Sequence, residues 1–379
     1  MKTLHCLLLI MICLTLGSCV QSKQIEKLSV VTSRGTDQLE NSEIETTLMI
    51  FQFTKPEGIV INPVFGKGKT IKGALANANL ESRFELVAGK IQLELYGMEL
   101  AKKGIFPYLD TLNRDARLPD SMYLAISVPT AKEVLTTKEQ SISNNVGEHI
   151  HGLIKENAKD HFLPRVTLQT FLSKYYDIGV DPALPIIEIK DSIPKIRSIA
   201  ILRDDKLVGE IESNYLLLFK ILEETVRNEK FELLLPMKPF EKYLKNYTDT
   251  TKSTDKLNIA LGLVKSKVDT SLIDNKNNVF QTDLWLDVNL LELSEPVDLN
   301  NDKSLKLLEK EINKKIEADA KGVLARIQKM NGDTFGYGKI YRTHQKNGKL
   351  TDELWHEIYP TIKVNFNVKT TITRHGSVD

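Results

Sequence analysis

Hydrophobic and polar positions alternate clearly from Ile44 to Gln52, with Ile44, Thr46, Leu48, Ile50 and Gln52 on one side and Glu45, Thr47, Met49 and Phe51 on the other. This predicts a strand, preceded by another from Ile25 to Val31, with the ten or so residues between them, including Gly35, Asp37 and Asn41, as a hairpin loop. Ile71, Ala74, Leu75 and Ala78 follow Thr70 at helical spacing. Next come a strand around Leu86–Leu95, a helix around Met98–Lys103 stopped by Gly104, a short helix containing Leu109 and Leu112, and renewed alternation at Met122, Leu124, Ile126 and Val128. Further on, Ile150, Leu153 and Ile154 mark a helix that leads into a proline-marked segment, Pro182 to Pro194.

The last part of the chain begins with a predicted hairpin, Ile199–Leu202 turning at Asp204-Asp205 into Leu207–Ile211, and an apolar helix from Tyr215 to Val226. Leu257, Ile259, Leu261 and Leu263 alternate, as do Leu284, Leu286, Val288 and Leu290. The longest helix is expected from about Ser304 to Met330, on the stripe Leu308, Ile312, Ile316, Ala320, Val323, Ile327 and Met330, with Gly332 as its stop. Ile362, Val364, Phe366, Val368 and Ile372 form a terminal strand. The fold class is therefore α+β, with antiparallel-rich sheets packed by helices. After a leader at 1–18 we expect an N-terminal α/β domain at 19–135, a linker at Thr136–Asn145, a small middle domain at 146–195 and a C-terminal α+β domain at 196–379.

The leader has one basic residue, Lys2, and an apolar core from Cys6 to Leu16, too short to span the roughly 30 Å of a bilayer's hydrocarbon. Leu16-Gly17-Ser18-Cys19 resembles a lipobox, in which small residues admit the signal peptidase to the Ser18-Cys19 bond and the Cys19 thiol receives diacylglycerol, with N-acylation possible afterwards. An ordinary cleaved signal is the alternative. The cysteine census favours lipidation: of Cys6, Cys13 and Cys19, only Cys19 would remain in the mature chain, so no internal disulfide can form. Two acyl chains give stable anchoring where one is marginal. Removing residues 1–18 leaves 361 residues with 50 basic against 50 acidic side chains, which gives no strong electrostatic case for nucleic acid.

Candidate chemistry is incomplete everywhere. Pro63-Val64-Phe65-Gly66-Lys67-Gly68-Lys69-Thr70 resembles the end of a phosphate-binding loop, which would put Lys69 on phosphate and Thr70 on magnesium, but Pro63 replaces the first required glycine. Glu148, His149, His151 and His161 are the one histidine cluster, and His149 and His151 point to different sides of a helix. We expect no metal, no cofactor and no enzyme activity. Phe335 to Gly338, where glycines alternate with aromatics after the helix stop, reads as a tight, packed connection.

The order of features resembles the Ger(x)C family, the C subunits of spore germinant receptors. The resemblance runs from the lipobox through Arg34-Gly35-Thr36-Asp37, Phe51-Gln52-Phe53 with Pro56, Glu99 to Ile105, and Leu112-Asn113-Arg114-Asp115. It continues in Ala200 to Gly209, Asp333-Thr334-Phe335-Gly336-Tyr337-Gly338, Trp355, and the terminal strand into Arg374-His375-Gly376. Val20-Gln21 and Gly89-Lys90 depart from residue pairs common in the family. The resemblance implies a three-domain lipoprotein (membrane-bound through palmitate-type acyl chains) on the outer face of the cytoplasmic membrane, which is the spore inner membrane in the dormant spore. There it would act beside the receptor's integral A and B membrane subunits in the germination response to nutrients. A lipid-anchored solute-binding protein is the alternative.

Overall fold

The computed structural model describes residues 27–54, 58–137, 145–160, 162–244 and 255–374. Ser18 and Cys19 with the leader, most of the expected linker, His161, and the His375-Gly376 end of the terminal strand lie outside the described residues.

Strand β1 (Leu28–Gln38) pairs antiparallel with β2 (Ile44–Thr54), and β2 with β3 (Gly58–Gly68). Helix α1 (Ile71–Glu81) leads to β4 (Glu85–Val87) and β5 (Leu93–Gly97), both parallel to β1. Helices α2 (Met98–Lys103) and α3 (Phe106–Asn113) precede β6 (Tyr123–Val128), parallel to β5. Helices α4 (Ala131–Leu135), α5 (Val146–Asp160) and α6 (Leu168–Tyr175) precede β7 (Ala183–Lys190), parallel to β6. Strands β8 (Ile193–Arg203) and β9 (Lys206–Glu212) then complete a nine-stranded sheet antiparallel to their neighbours. After α7 (Leu216–Glu223) the chain builds a four-stranded sheet from β10 (Arg227–Pro236), β11 (Lys256–Asp274) and β12 (Val279–Leu293). Helices α8 (Asp302–Met330), α9 (Tyr337–Thr343) and α10 (Asp352–Ile358) lead to β13 (Lys363–Arg374), which lies parallel to β12.

The central parallel strands of the large sheet are buried on both faces, as crossover helices require. One face packs α1, α2, α3 and α6 through Ile71, Leu100, Leu109 and Phe171. The other packs α4 and α5 through Val134, Ile150 and Ile154, and its core runs on without a break into the smaller sheet beneath α8. Leu308, Ile312, Ile316, Val323 and Ile327 of α8 are buried there, each contributing about 1.5–3 kcal/mol of hydrophobic stabilisation. The same helix covers the free edge of β13: Asn313 Oδ1 accepts from the Thr370 N–H at 2.8 Å and Glu309 Oε1 from the Ile372 N–H at 2.9 Å.

The structure differs from the sequence reading in several places. The expected boundaries at 146 and 196 fall inside one sheet, because β7, β8 and β9 hydrogen-bond onward from β6. The proline-marked segment is β7 and the start of β8. The hairpin loop shrinks to five residues, since β1 continues through Gly35 and Asp37. The expected Leu86–Leu95 strand is two short strands, and α8 ends on Asn331, whose φ of 57° supplies the left-handed cap, one residue before Gly332. The phosphate-loop-like segment is part of β3, and Thr70 caps α1 by accepting from the Gly73 N–H at 3.0 Å. Its Gly66 lets α1 lie against the strand, since a Cβ there would come 2.0 Å from the Ala74 carbonyl oxygen.

Arg34-Gly35-Thr36-Asp37 organises the centre of the large sheet. Arg34 Nε bonds both oxygens of Glu94 on β5, at 2.8 and 3.0 Å, with both side chains buried. Burial raises the Glu94 pKa and Arg34 opposes that rise. Gly35 lies under α4, where a Cβ would come 2.7 Å from that of Ala131, and Asp37 caps α4 by accepting from the Ala131 and Lys132 N–H groups, each at 2.8 Å. Removing one partner of a buried pair strands the other's charge. Glu94→Ala is therefore expected to cost about 3–5 kcal/mol in urea unfolding, and the double change Arg34→Leu/Glu94→Leu less than that. A Glu94→Ala protein as stable as the parent would count against this assignment.

Candidate functional site

A buried polar cluster joins segments far apart in sequence. Beyond Asn331 the chain must pass close to β8: a Cβ on Gly332 would come 2.4 Å from the Leu202 carbonyl oxygen. Asp333 then faces Asp181, in the loop before β7, and the two exchange hydrogen bonds. The Asp181 N–H donates to the Asp333 carbonyl at 2.8 Å, and the Asp333 N–H donates to Asp181 Oδ2 at 2.6 Å. Asp181 Oδ1 accepts from the N–H of Asp204, in the β8–β9 turn, at 2.7 Å, and His356 Nε2 on α10 lies 3.4 Å from Oδ2.

The Asp333 carboxylate is fully buried and gathers the segment that follows it. Oδ1 accepts from the Gly336 N–H at 2.9 Å, while Oδ2 accepts from the Gly338 N–H at 2.8 Å and Trp355 Nε1 at 3.0 Å. Gly338 sits against Gly179: a Cβ on Gly338 would come 2.5 Å from the Gly179 Cα and 2.6 Å from the Trp355 ring. Gly179 itself has a φ of +91°, and its carbonyl accepts from the Lys339 N–H at 3.1 Å. Outside this packing, Asp177 pairs with both Lys339 and Arg342 at 2.9 Å. The β8–β9 turn also reaches the other way: Asp205 accepts from the Ile105 N–H through its carbonyl at 3.2 Å and from the Phe106 N–H through Oδ2 at 2.8 Å. One turn therefore joins the start of α3 to the loop before β7, whose Asp181 in turn holds the chain after α8.

Burial pushes Asp333 up to about 7 against the opposing N–H donors, with the Asp181 charge adding to the rise. Burial works against a charged His356, but the Asp181 carboxylate outweighs it and holds the imidazole above its ordinary value. Burial also raises Asp204 and Asp352, with His356 opposing in both cases. Asp181, Asp204 and His356 offer ligand atoms within 4.8 Å of one another and are the group among the described residues that could hold a metal ion. Both Asp181 oxygens already accept backbone N–H bonds, so the arrangement works foremost as a clasp.

Of the histidine cluster, His149 and His151 lie on α5, and the His151 ring packs 5.6 Å from that of Tyr123. Sequence reasoning missed the clasp because Asp181, Asp204, Asp333 and His356 come from four separate segments. Its readable signal was the Gly336–Gly338 pattern, which is the packed connection expected. A groove of about 280 Å³ between α7, β10 and α8 is lined mainly by Tyr215, Leu218, Ile221, Phe231, Leu233 and Ile316, with the Lys315–Asp319 ion pair beside it. Among the described residues no helix is long and apolar enough to cross a membrane.

Comparison with known proteins gives concordant matches. Residues 21–189 match the spore germination protein N-terminal domain, and residues 197–376 match the spore germination B3/GerAC-like C-terminal region. The chain is similar to spore germination protein GerQC of Bacillus cereus, 23% identical over 98% of each chain. It is also similar to spore germination protein KC of Bacillus subtilis (strain 168), 23% identical over 99% of this chain and 96% of that one. The fold resembles the crystal structure of the GerBC protein with a TM-score of 0.51 and 17% identity, covering 90% of this chain and 97% of the other.

The clasp predicts a pH dependence. An Asp333 exposed on unfolding titrates near 3.8, whereas the folded group keeps its proton to about 7. The folded chain binds more protons between those values, so stability falls as pH rises through that window. His356, with its pKa raised in the fold, contributes stability that is present below its ordinary 6.5 and lost as pH rises through its folded value. Urea midpoints measured from pH 5 to 8 should therefore decline, and Asp333→Asn should lower stability while flattening the decline. An equally steep decline in that variant would overturn the assignment.

Proposed function

Because the chain belongs to the Ger(x)C family of spore germination proteins, as matches along nearly its whole length establish, we propose that it is the lipid-anchored C subunit of a nutrient germinant receptor. It acts through contacts with the receptor's A and B membrane subunits and carries no catalysis of its own. The family match carries this reading. The lipobox-like Leu16-Gly17-Ser18-Cys19 supports the anchor, supplying membrane attachment that no described helix provides. The clasp supports a binding role over an enzymatic one: the Asp181 and Asp333 carboxylates are taken up by backbone N–H groups and Trp355, and the segments carrying the family pattern serve to hold elements together. The solute-binding alternative calls for ligand enclosed between two α/β lobes, whereas the core here runs continuously from a nine-stranded sheet into a four-stranded one.

Cys19→Ala tests the proposal. The variant should fold as the parent does, leave the membrane fraction and impair nutrient-triggered germination in a strain without a compensating paralogue. Normal germination in that strain would remove the anchored-subunit reading, and full retention in the membrane fraction would remove the lipid.

A further inference from the structure

Helix α8 carries a lysine-rich outer face. At about 100° per residue, Lys303, Lys306, Lys310, Lys314 and Lys321 fall within a sector roughly 80° wide and about 27 Å long, and all five are exposed. They lie opposite the buried stripe of Leu308, Ile312, Ile316 and Val323. The acids of the same helix are mostly turned aside. Glu309 accepts from the β13 edge, Glu311 is buried and pairs with Lys314 at 2.6 Å, and Asp319 pairs with Lys315 at 2.7 Å. Glu317 alone shares the lysine sector, paired with Lys321 at 2.6 Å. Among the described residues, Lys303, Lys306 and Lys310 have no acidic partner. Ala318, Gly322 and Ala325 take neighbouring exposed positions, so the face is low and flat.

We infer that this stripe is the surface the protein turns toward an anionic bilayer, its lysines meeting lipid phosphate headgroups. Charge complementarity carries the choice of partner. The mature chain has no net charge to attract anions broadly, whereas on this helix eight basic residues stand against five acidic ones. A straight row of flexible ammonium groups, with no aromatic and no arginine among them, suits a planar and fluid array of phosphates better than a shaped ligand or stacked nucleobases. The location rests on the proposed anchor at Cys19, which fixes distance from the membrane but not which face is presented. Each lysine near the surface adds about fivefold to partitioning.

The test uses the chain from residue 20 onward, without lipid, sedimented with phosphatidylcholine vesicles with or without phosphatidylglycerol. It should bind only the anionic vesicles and be released at 1 M salt, where the screening length is about 3 Å. Lys303→Gln/Lys306→Gln/Lys310→Gln should lower partitioning about a hundredfold with an unchanged melting curve. The exposed control set Lys230→Gln/Lys265→Gln/Lys369→Gln should have little effect. Absence of binding to anionic vesicles, or equal losses in both sets, would overturn the inference. A stripe variant that blocks germination while the parent ignores vesicles would also overturn it, pointing to an acidic protein surface. Lacking the lipid, the assay is independent of whether Cys19 is acylated.

Discussion

The fold depends on the paired exchange between Asp181 and Asp333, in which each backbone N–H meets an acceptor on the other residue. Two buried aspartates facing each other are costly unless hydrogen bonding compensates them. Here compensation comes from every element that must meet at this point: the N–H of Asp204 from the β8–β9 turn, those of Gly336 and Gly338 from the segment after α8, and the indole of Trp355 from α10. Loss of the Asp204 or Gly336 donor leaves a buried oxygen without its backbone partner, and loss of Gly338 or Trp355 leaves Asp333 Oδ2 with one donor in place of two, so the network tolerates little rearrangement.

The segments by which the family is recognised have physical work in this structure. Arg34 to Asp37 tie β1 to β5 and cap a helix, Gly104 and Ile105 receive the β8–β9 turn, and Asp333 to Gly338 wrap a buried carboxylate. These are framework roles.

Much of the architecture was legible where a face meets water. Strands β11 and β12 alternate because one side of the small sheet is solvated, and α8 announces itself through the 3–4 spacing of Leu308, Ile312, Ile316 and Val323. Strand β3 was hidden because Pro63, Gly66 and Gly68 look like a loop, although the glycines are there to admit α1. Strand β10 was hidden because the groove beside it leaves Phe231 and Leu233 only half-buried. That one sheet continues across the expected boundaries was not legible, because pairing of β6 with β7 joins residues about 60 apart, which periodicity does not register. The clasp was illegible for the same reason: Asp181 and Asp333 are 152 positions apart.

The β7–β8 turn separates the two regions that match known families, yet it lies within one hydrogen-bonded sheet. The second region donates β8 and β9 to the sheet begun by the first, and in return takes its own registration from Asp181. Inheritance is constrained accordingly. Relatives can diverge residue by residue, but a gene fusion that swapped one half for a distant cousin's would have to bring a matching edge for β7 and a matching partner for Asp181 at the same time, so the halves must travel through evolution together.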